Sequence, residues 1–363
     1  MSLPRPRSTV ARMAGYTPGE QPRPGESIIK LNTNENPYPP SPRVVQAIHD
    51  LSAESLRRYP SPMADAFRAV AARVHGVTPD HILAGNGSDD LLQIALRTYC
   101  APGDLLASPD PTYSLYPVLA ELAEVRFVTV PWGEDWTLPT DALLATDPNA
   151  IFFANPNAPS GTWVSPGDVS RLAKRTEALV LVDEAYVDFA DADCLALTAG
   201  QENVLVTRTL SKGYGLAGLR FGYAIGHPAV IAQMSKVKDS YNCDAIAIAA
   251  ACAALEDQTY ARACWARVRD ERGRMSTELG RRGFDVIPSH ANFVLVAMPA
   301  AIEARAVYEA LKAQRILVRF FDRPSLNDKL RITIGTPDEN TALLAALDRV
   351  LKAEAQGDAA RPA

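Results

Sequence analysis

Seven short runs of apolar and β-branched residues recur between residues 81 and 226. They read "HILAG", "LLASP", "VRFVTV", "AIFFAN", "ALVLVDEA", "NVLVTR" and "RFGYAIG", and stretches of helical period such as "SDDLLQIALRTYC" separate most of them. This alternation constrains the fold more than any other feature. Strands joined through helices make a mostly parallel sheet, covered by helices on both faces. In such a sheet the binding residues gather in loops beyond the carboxyl ends of the strands. Most polar clusters of the chain follow a strand in that way: "GNGSDD", "PDPTYS", "NPNAPSGT", "DEAYVDF" and "TLSKGYG".

The rest of the chain divides around that core. Residues 1–41 are rich in proline and polar residues, which favours an extended arm over a helix. Residues 42–265 form the large domain, beginning with apolar residues at helical spacing. Residues 266–363 read as a smaller α+β domain, with a charged helix and the strand-like runs "GFDVIP", "NFVLVAM" and "LRITIG". The tail "KAEAQGDAARPA" is expected to fray. With 363 residues the chain suits a large domain plus a smaller one. Its net charge of −5 is spread without a basic stripe, so neither nucleic acid nor anionic lipid is an expected partner. The apolar run "AIAIAAACAAL" is too short to span a bilayer and reads as a packed helix. "MSLPRPRSTV" has no apolar segment behind its arginines, so no secretory signal is expected. Five cysteines at no disulfide or metal spacing read as reduced, mostly buried thiols of a cytoplasmic protein, and a metal site is not expected.

The chemistry starts from "TLSKGYGLAGLRFGY". Lys212 follows Ser211 in a glycine-studded loop, and Arg220 comes eight residues later. Lys212 alone reads as a solvated loop lysine, but other clusters change its meaning. In "AGNGSDDLL", Gly87 and Ser88 stand between a strand and a helix. Ser88 reads as the N-cap, with Asp89 and Asp90 in the first turn, and free N–H groups there make an anion site. Asp183 ends a buried apolar strand, where a carboxylate is costly unless it meets a cation or donors. Asn157 in "NPNAPSGT" and Tyr113 in "DPTYSLY" read singly as turn chemistry and core. Together these residues suit a molecule with a phosphate, an aromatic ring, a ring nitrogen and an aldehyde. Pyridoxal phosphate is such a molecule, and it needs a lysine, an acid against the pyridine nitrogen and a phosphate cup.

At this point the chain resembles the fold-type I pyridoxal-phosphate aminotransferases, and within them the histidinol-phosphate aminotransferase family. The likeness runs over nearly the whole chain, through "YTPGEQP", "KLNTNENPYPPSP", "RRYPSP", "AGNGSDDLL", "DPTYSLY", "NPNAPSGT", "VDEAYVDF", "TLSKGYGLAGLRFGY", "SHANFVLV" and "LRITIGT". The segment "KDSYNCDAI" departs from the commoner form and is taken as a subgroup mark. The resemblance implies that Lys212 is the Schiff-base lysine and that Asp183 keeps the pyridine nitrogen protonated. It implies that Asn157 and Tyr186 bond the ring's O3′ and that Tyr113 stacks on the ring. Gly87, Ser88, Ser211 and Arg220 are implied to surround the phosphate, and Asp89 and Thr209 are further implied cofactor contacts. Tyr59 is implied to reach the cofactor of the partner subunit in a homodimer with shared sites. Asn34 and Asn36 are expected to line the site from the arm. Arg331 is expected to grip an α-carboxylate, and Arg319 and Tyr16 a substrate phosphate.

The implied reaction moves an amino group between L-glutamate and imidazole-acetol phosphate, a step of histidine biosynthesis. Three rivals remain from sequence: an aromatic amino acid aminotransferase, a phosphothreonine-type decarboxylase on the same fold, and a cofactor-binding module without catalysis.

Overall fold

The structure, a computed structural model, describes residues 3–23, 25–299 and 302–358. Strand β1 (Ile29–Lys30) lies in the arm. The central sheet then takes β2 (Ile82–Gly85), β3 (Leu105–Asp110), β4 (Arg126–Pro131), β5 (Ala150–Ala154), β6 (Leu179–Asp183), β7 (Val204–Thr209) and β8 (Gly222–Gly226). These are the seven runs read from sequence. Their spatial order is β2-β8-β7-β6-β5-β3-β4. Strands β3 to β7 pair in parallel, whereas β8 is antiparallel to both β2 and β7. A parallel return needs a crossover, usually a helix. Residues 210–221 hold only the 3-10 turn Ala217–Leu219, so β8 runs back beside β7. That reversal keeps Lys212 and Arg220 in one loop over the carboxyl end of the sheet.

Helices on both faces explain the composition of the strands. β2, β5, β6, β7 and β8 are buried at every residue, so they read as continuous apolar runs. β4 is an edge strand and mostly exposed. The alanine-rich run forms helix Ala245–Glu256, whose Ala247, Ala250, Ala251 and Ala254 are buried. Helix Gln258–Arg281 follows, and residue 265 falls inside it. Its Ala261 packs in one core cluster and its Val268, Met275 and Leu279 in another, with Trp265 against both.

A second sheet has the order β12 (Arg319–Phe320), β13 (Lys329–Thr333), β10 (Phe293–Ala297), β9 (Asp285–Val286), all antiparallel. β1 pairs in parallel with β11 (Ile316–Leu317), which ties the arm to this part of the chain and buries Leu31 in its core. Two sequence expectations need correction. The arm is not wholly extended: Ser8–Arg12 form a short helix, in a stretch free of proline, and Arg7 and Thr9 bond Glu124. The last helix, Pro337–Asp358, carries well into the segment expected to fray. The end of that tail, 359–363, lies outside the described residues.

Candidate active site

The pocket opens where the carboxyl ends of the central strands meet the arm and the second sheet. Asp183 is the last residue of β6 and 2% exposed. Its carboxylate accepts from the hydroxyls of Tyr116 (3.1 Å) and Thr207 (3.3 Å), and forms no ion pair among the described residues. Burial pushes its pKa up to about 7, and the nearby Asp89 carboxylate adds to the shift. A buried acid with hydroxyl donors and no cation is prepared for a cation that is not part of the chain.

Lys212 stands on the β7–β8 loop. Its Nζ donates to the carbonyl of Thr33 at 2.9 Å and lies 5.9 Å from the centre of the Tyr186 ring. Burial first, and then the charge of Arg331, lower its pKa to about 8. A lysine brought so near neutrality can give and take a proton.

The anion cup forms on the same loop. Arg220 has φ 56°, a left-handed backbone that non-glycine residues seldom adopt. That bend turns its guanidinium back to Ser211 Oγ (3.3 Å) and within 3.5 Å of Asp89. Thr209 donates its hydroxyl to Ser211 Oγ at 3.0 Å. The expected N-cap at Ser88 is corrected: Gly87 caps helix Ser88–Tyr99 and Ser88 is its first residue. Gly87 has φ 84°, and a Cβ there would lie 2.6 Å from Arg220 Nη2. Only glycine allows both the turn and the approach of the arginine. The helix N-terminus then opens its N–H groups toward the cup.

Tyr113 lines the pocket and donates its hydroxyl to Asp89 at 3.2 Å. Tyr186 packs edge-on to Phe293, and its hydroxyl accepts from Asn34 Nδ2 at 2.9 Å. The Tyr186 proton is therefore free for an acceptor in the pocket. Asn157 does not line the cavity. It sits behind it, giving its amide hydrogens to Pro111 O and Ser160 Oγ, with Oδ1 buried and unpartnered. Asn36 is a correction too: it does not face the pocket but bonds the carbonyls of Lys212 (2.9 Å) and Gly213 (3.0 Å). Asn34 does line the pocket. Tyr59 lies outside its own chain's pocket, 80% exposed and stacked on Tyr241 at 4.4 Å.

The far wall is cationic. Arg319 and Arg331 are direct cross-strand neighbours in the β12–β13 pair, and both line the pocket with Tyr16. Arg331 bonds Asn32 O at 3.0 Å and leaves its buried Nε without a partner. Neither arginine has a carboxylate within ion-pair distance among the described residues. Arg323, a third pocket arginine, is held by Asp110 at 2.7 Å.

These residues fit pyridoxal phosphate: a cationless buried acid for the ring nitrogen, a partly neutralised lysine, and a cup of hydroxyls, N–H groups and one arginine. Sequence reasoning missed Tyr116, Thr207 and Thr33. Tyr116 left a signal, since it follows Tyr113 at a helical spacing of three. Thr207 and Thr33 left none, because their partners are distant in sequence.

A model of the family "Aminotransferase class I and II" matches residues 26–347. Histidinol-phosphate aminotransferase 1 of Trichormus variabilis is 46% identical over 95% of this chain and 99% of its own length. Histidinol-phosphate aminotransferase of Rhodopirellula baltica is 44% identical over 95% and 96%. The crystal structure of histidinol-phosphate aminotransferase from Sinorhizobium meliloti, in complex with pyridoxal-5′-phosphate, superposes with a TM-score of 0.88 at 28% identity, covering 97% of this chain and 99% of that one. The chain belongs to the class I and II aminotransferases and, within them, to the histidinol-phosphate aminotransferase family.

Proposed function

We propose that this protein, with pyridoxal 5′-phosphate, moves the amino group between L-glutamate and imidazole-acetol phosphate, giving 2-oxoglutarate and L-histidinol phosphate in histidine biosynthesis. The observation that carries this reading is the opposed pair Arg319 and Arg331. Like charges directly across two strands cost stability. Two such cations facing one cavity call for substrates with anionic ends. Glutamate brings two carboxylates, and histidinol phosphate brings a phosphate.

When bound, the cofactor supplies an electron sink for the bond broken at the substrate Cα. The residues of the chain do the rest. Lys212 Nζ would take the proton from the substrate Cα and return it two bonds away, to the carbon on the other side of the amino nitrogen. Asp183 keeps a proton on the ring nitrogen through its negative charge. Tyr186 donates its hydroxyl to the ring oxygen, and Tyr113 packs on the ring face. Ser211, Thr209, Arg220 and the N–H groups after Gly87 hold the cofactor phosphate. Arg331 grips the α-carboxylate of glutamate, while Arg319 and Tyr16 hold the distal phosphate and so orient Cα.

The test compares kcat/KM for histidinol phosphate and phenylalanine, each with 2-oxoglutarate. Arg319→Ala should lower efficiency with histidinol phosphate by about 2–4 kcal/mol, the loss of a charge-assisted pair in a closed site, and affect phenylalanine far less. Arg331→Ala should chiefly damage the glutamate half-reaction. Preference for phenylalanine, or equal loss on both substrates, favours the aromatic aminotransferase. Incubation with L-glutamate should yield 2-oxoglutarate, and its absence, with carbon dioxide released from phosphothreonine, would favour a decarboxylase.

The same reading includes a cytoplasmic homodimer in which Tyr59 reaches the partner's cofactor phosphate. Among the described residues no helix is long and apolar enough to cross a membrane. The exposed Tyr59–Tyr241 stack supports a surface that another subunit covers. Mixed Lys212→Ala and Tyr59→Phe subunits should give hybrids with one intact site, and a monomer by light scattering refutes the idea.

A further inference from the structure

Residues 32–36 of the arm touch three residues that the proposed chemistry uses, Arg331, Lys212 and Tyr186. The Asn32 carbonyl accepts from Arg331 at 3.0 Å and the Thr33 carbonyl from Lys212 Nζ at 2.9 Å. Asn34 bonds the Tyr186 hydroxyl, and Asn36 bonds the backbone carbonyls of Lys212 and Gly213. Behind this stretch lies a small polar cluster without an assigned role. Lys30 Nζ donates to Thr33 Oγ1 at 2.6 Å and to the Glu35 carboxylate. The Thr33 hydroxyl donates to Glu35 Oε2 at 2.9 Å. Lys30 belongs to β1, which is paired with β11, so the cluster anchors the stretch to the second sheet. Neither Lys30 nor Glu35 lines the pocket.

We propose that Lys30 and Glu35, joined through the Thr33 hydroxyl, form a clamp that fixes the Thr33 carbonyl as the acceptor for the free Lys212 amine. Both charges are then positioning residues for proton transfer, and the proposal rests on Lys212 being the proton-moving base. A lysine amine swings on four rotatable carbons and loses that freedom only if something holds it. A carbonyl accepts one N–H from either the ammonium or the neutral amine. It thereby leaves the lone pair of the neutral form directed away from the carbonyl. The neighbouring charges act in both directions. Arg331 and Arg220 make Lys212 a weaker base, whereas Glu35 and Asp89 favour its proton. The Tyr186 ring faces the amine from a further element. Glu35 therefore acts on Lys212 twice, through the Thr33 hydrogen bond and through its own charge.

The experiment uses Glu35→Gln, Thr33→Val, Lys30→Met and Lys30→Arg. In the cofactor-free protein, the pH dependence of Lys212 acylation by acetic anhydride, read by peptide mass mapping, gives the midpoint of the amine. Glu35→Gln should lower that midpoint. Thr33→Val, which keeps both charges, should leave it nearly in place. In the holoenzyme, Glu35→Gln, Thr33→Val and Lys30→Met should each lower kcat about tenfold, as expected for a misplaced base. KM and cofactor affinity should change less than about threefold, and Lys30→Arg should retain turnover. Wild-type kcat in Glu35→Gln and Thr33→Val, or losses confined to KM or cofactor affinity, overturns the clamp. Should Glu35→Gln fail to fold, Thr33→Val decides. Turnover surviving in Lys212→Ala defeats the reading of the base instead, whereas turnover lost there but unchanged in Glu35→Gln and Thr33→Val overturns the clamp alone.

Discussion

Asp183 and Glu184 are adjacent, are both 2% exposed and lie in opposite circumstances. Glu184 accepts from Arg208 Nε at 3.0 Å and Nη2 at 2.8 Å, and from the Cys194 N–H. The same Arg208 Nη2 also pairs with Asp193 at 2.8 Å. Asp183 meets two hydroxyls and the backbone N–H of Ala185, and no cation among the described residues. Burial raises both pKa values, but only Glu184 has a neighbouring guanidinium to counter it. The region around Glu184 brings its own counter-charge and can be judged complete as it stands. The region around Asp183 is incomplete without a ligand cation. A buried acid is costly, so an acid left without a cation is better evidence of function than one that is paired.

The contrast can be broken most sharply at Asp183. Asp183→Asn keeps the shape and removes the charge, so turnover should fall by about two orders of magnitude or more with the cofactor still bound. Absorbance of bound cofactor, together with kcat, checks this. Near wild-type turnover would give the acid another task and make the two carboxylates alike.

Glu184→Gln should do the reverse. Breaking a buried pair costs about 3 kcal/mol, at the low end because Asp193 still holds Arg208. Chemical denaturation should show that loss, with turnover kept within a few-fold. A large loss of activity without loss of stability would move Glu184 into the catalytic machinery.

A smaller effect sharpens the comparison in the cofactor-free protein. The folded pKa of Asp183 is raised from 3.8 to about 7, so the fold holds this proton more tightly than the unfolded chain does. Its contribution to stability is fully present below pH 3.8 and is lost as pH rises through about 7. Asp188, also raised to about 7, acts in the same direction, and His75, lowered to about 3, acts against them. Asp183→Asn leaves those two in place. The difference in unfolding free energy between wild type and mutant should therefore fall between pH 4.5 and 7.5. Binding of the cofactor should flatten it, because a ring cation favours the charged acid. A difference that is flat without cofactor would mean that Asp183 already has a cation.

Much of this was legible in the residues. Six of the seven central strands stand out because strands buried on both faces cannot alternate with polar residues, and β4, the exposed edge strand, stands out by its β-branched residues. Lys212, Arg220 and Tyr113 stand out because each lies in a loop after one of those strands, and Asp183 because it ends one. The cap at residue 88 was misread by one position, since serine is the commoner cap and only the contact with Arg220 makes Gly87 necessary. Asn36 was misplaced because an arm that crosses the pocket presents some side chains to the cavity and others to the backbone beneath. Strands β1, β11 and β12 are two residues long and leave no period to read.

The sequence by itself determined the alternation of strands and helices, the loops where polar groups collect and the kind of cofactor those groups suit. All of these follow from local pattern and residue chemistry. Only the tertiary structure decided which groups face one another. Thr33 and Lys212 are 179 residues apart, and their hydrogen bond exists because β1 docks on β11. Arg319 and Arg331 oppose each other because of the register of β12 on β13. Tyr116 and Thr207 meet Asp183 only because β3, β5, β6 and β7 lie side by side in one sheet. Hydrogen bonds and ion pairs act over a few ångströms, and it is packing, not spacing along the chain, that brings such partners within reach.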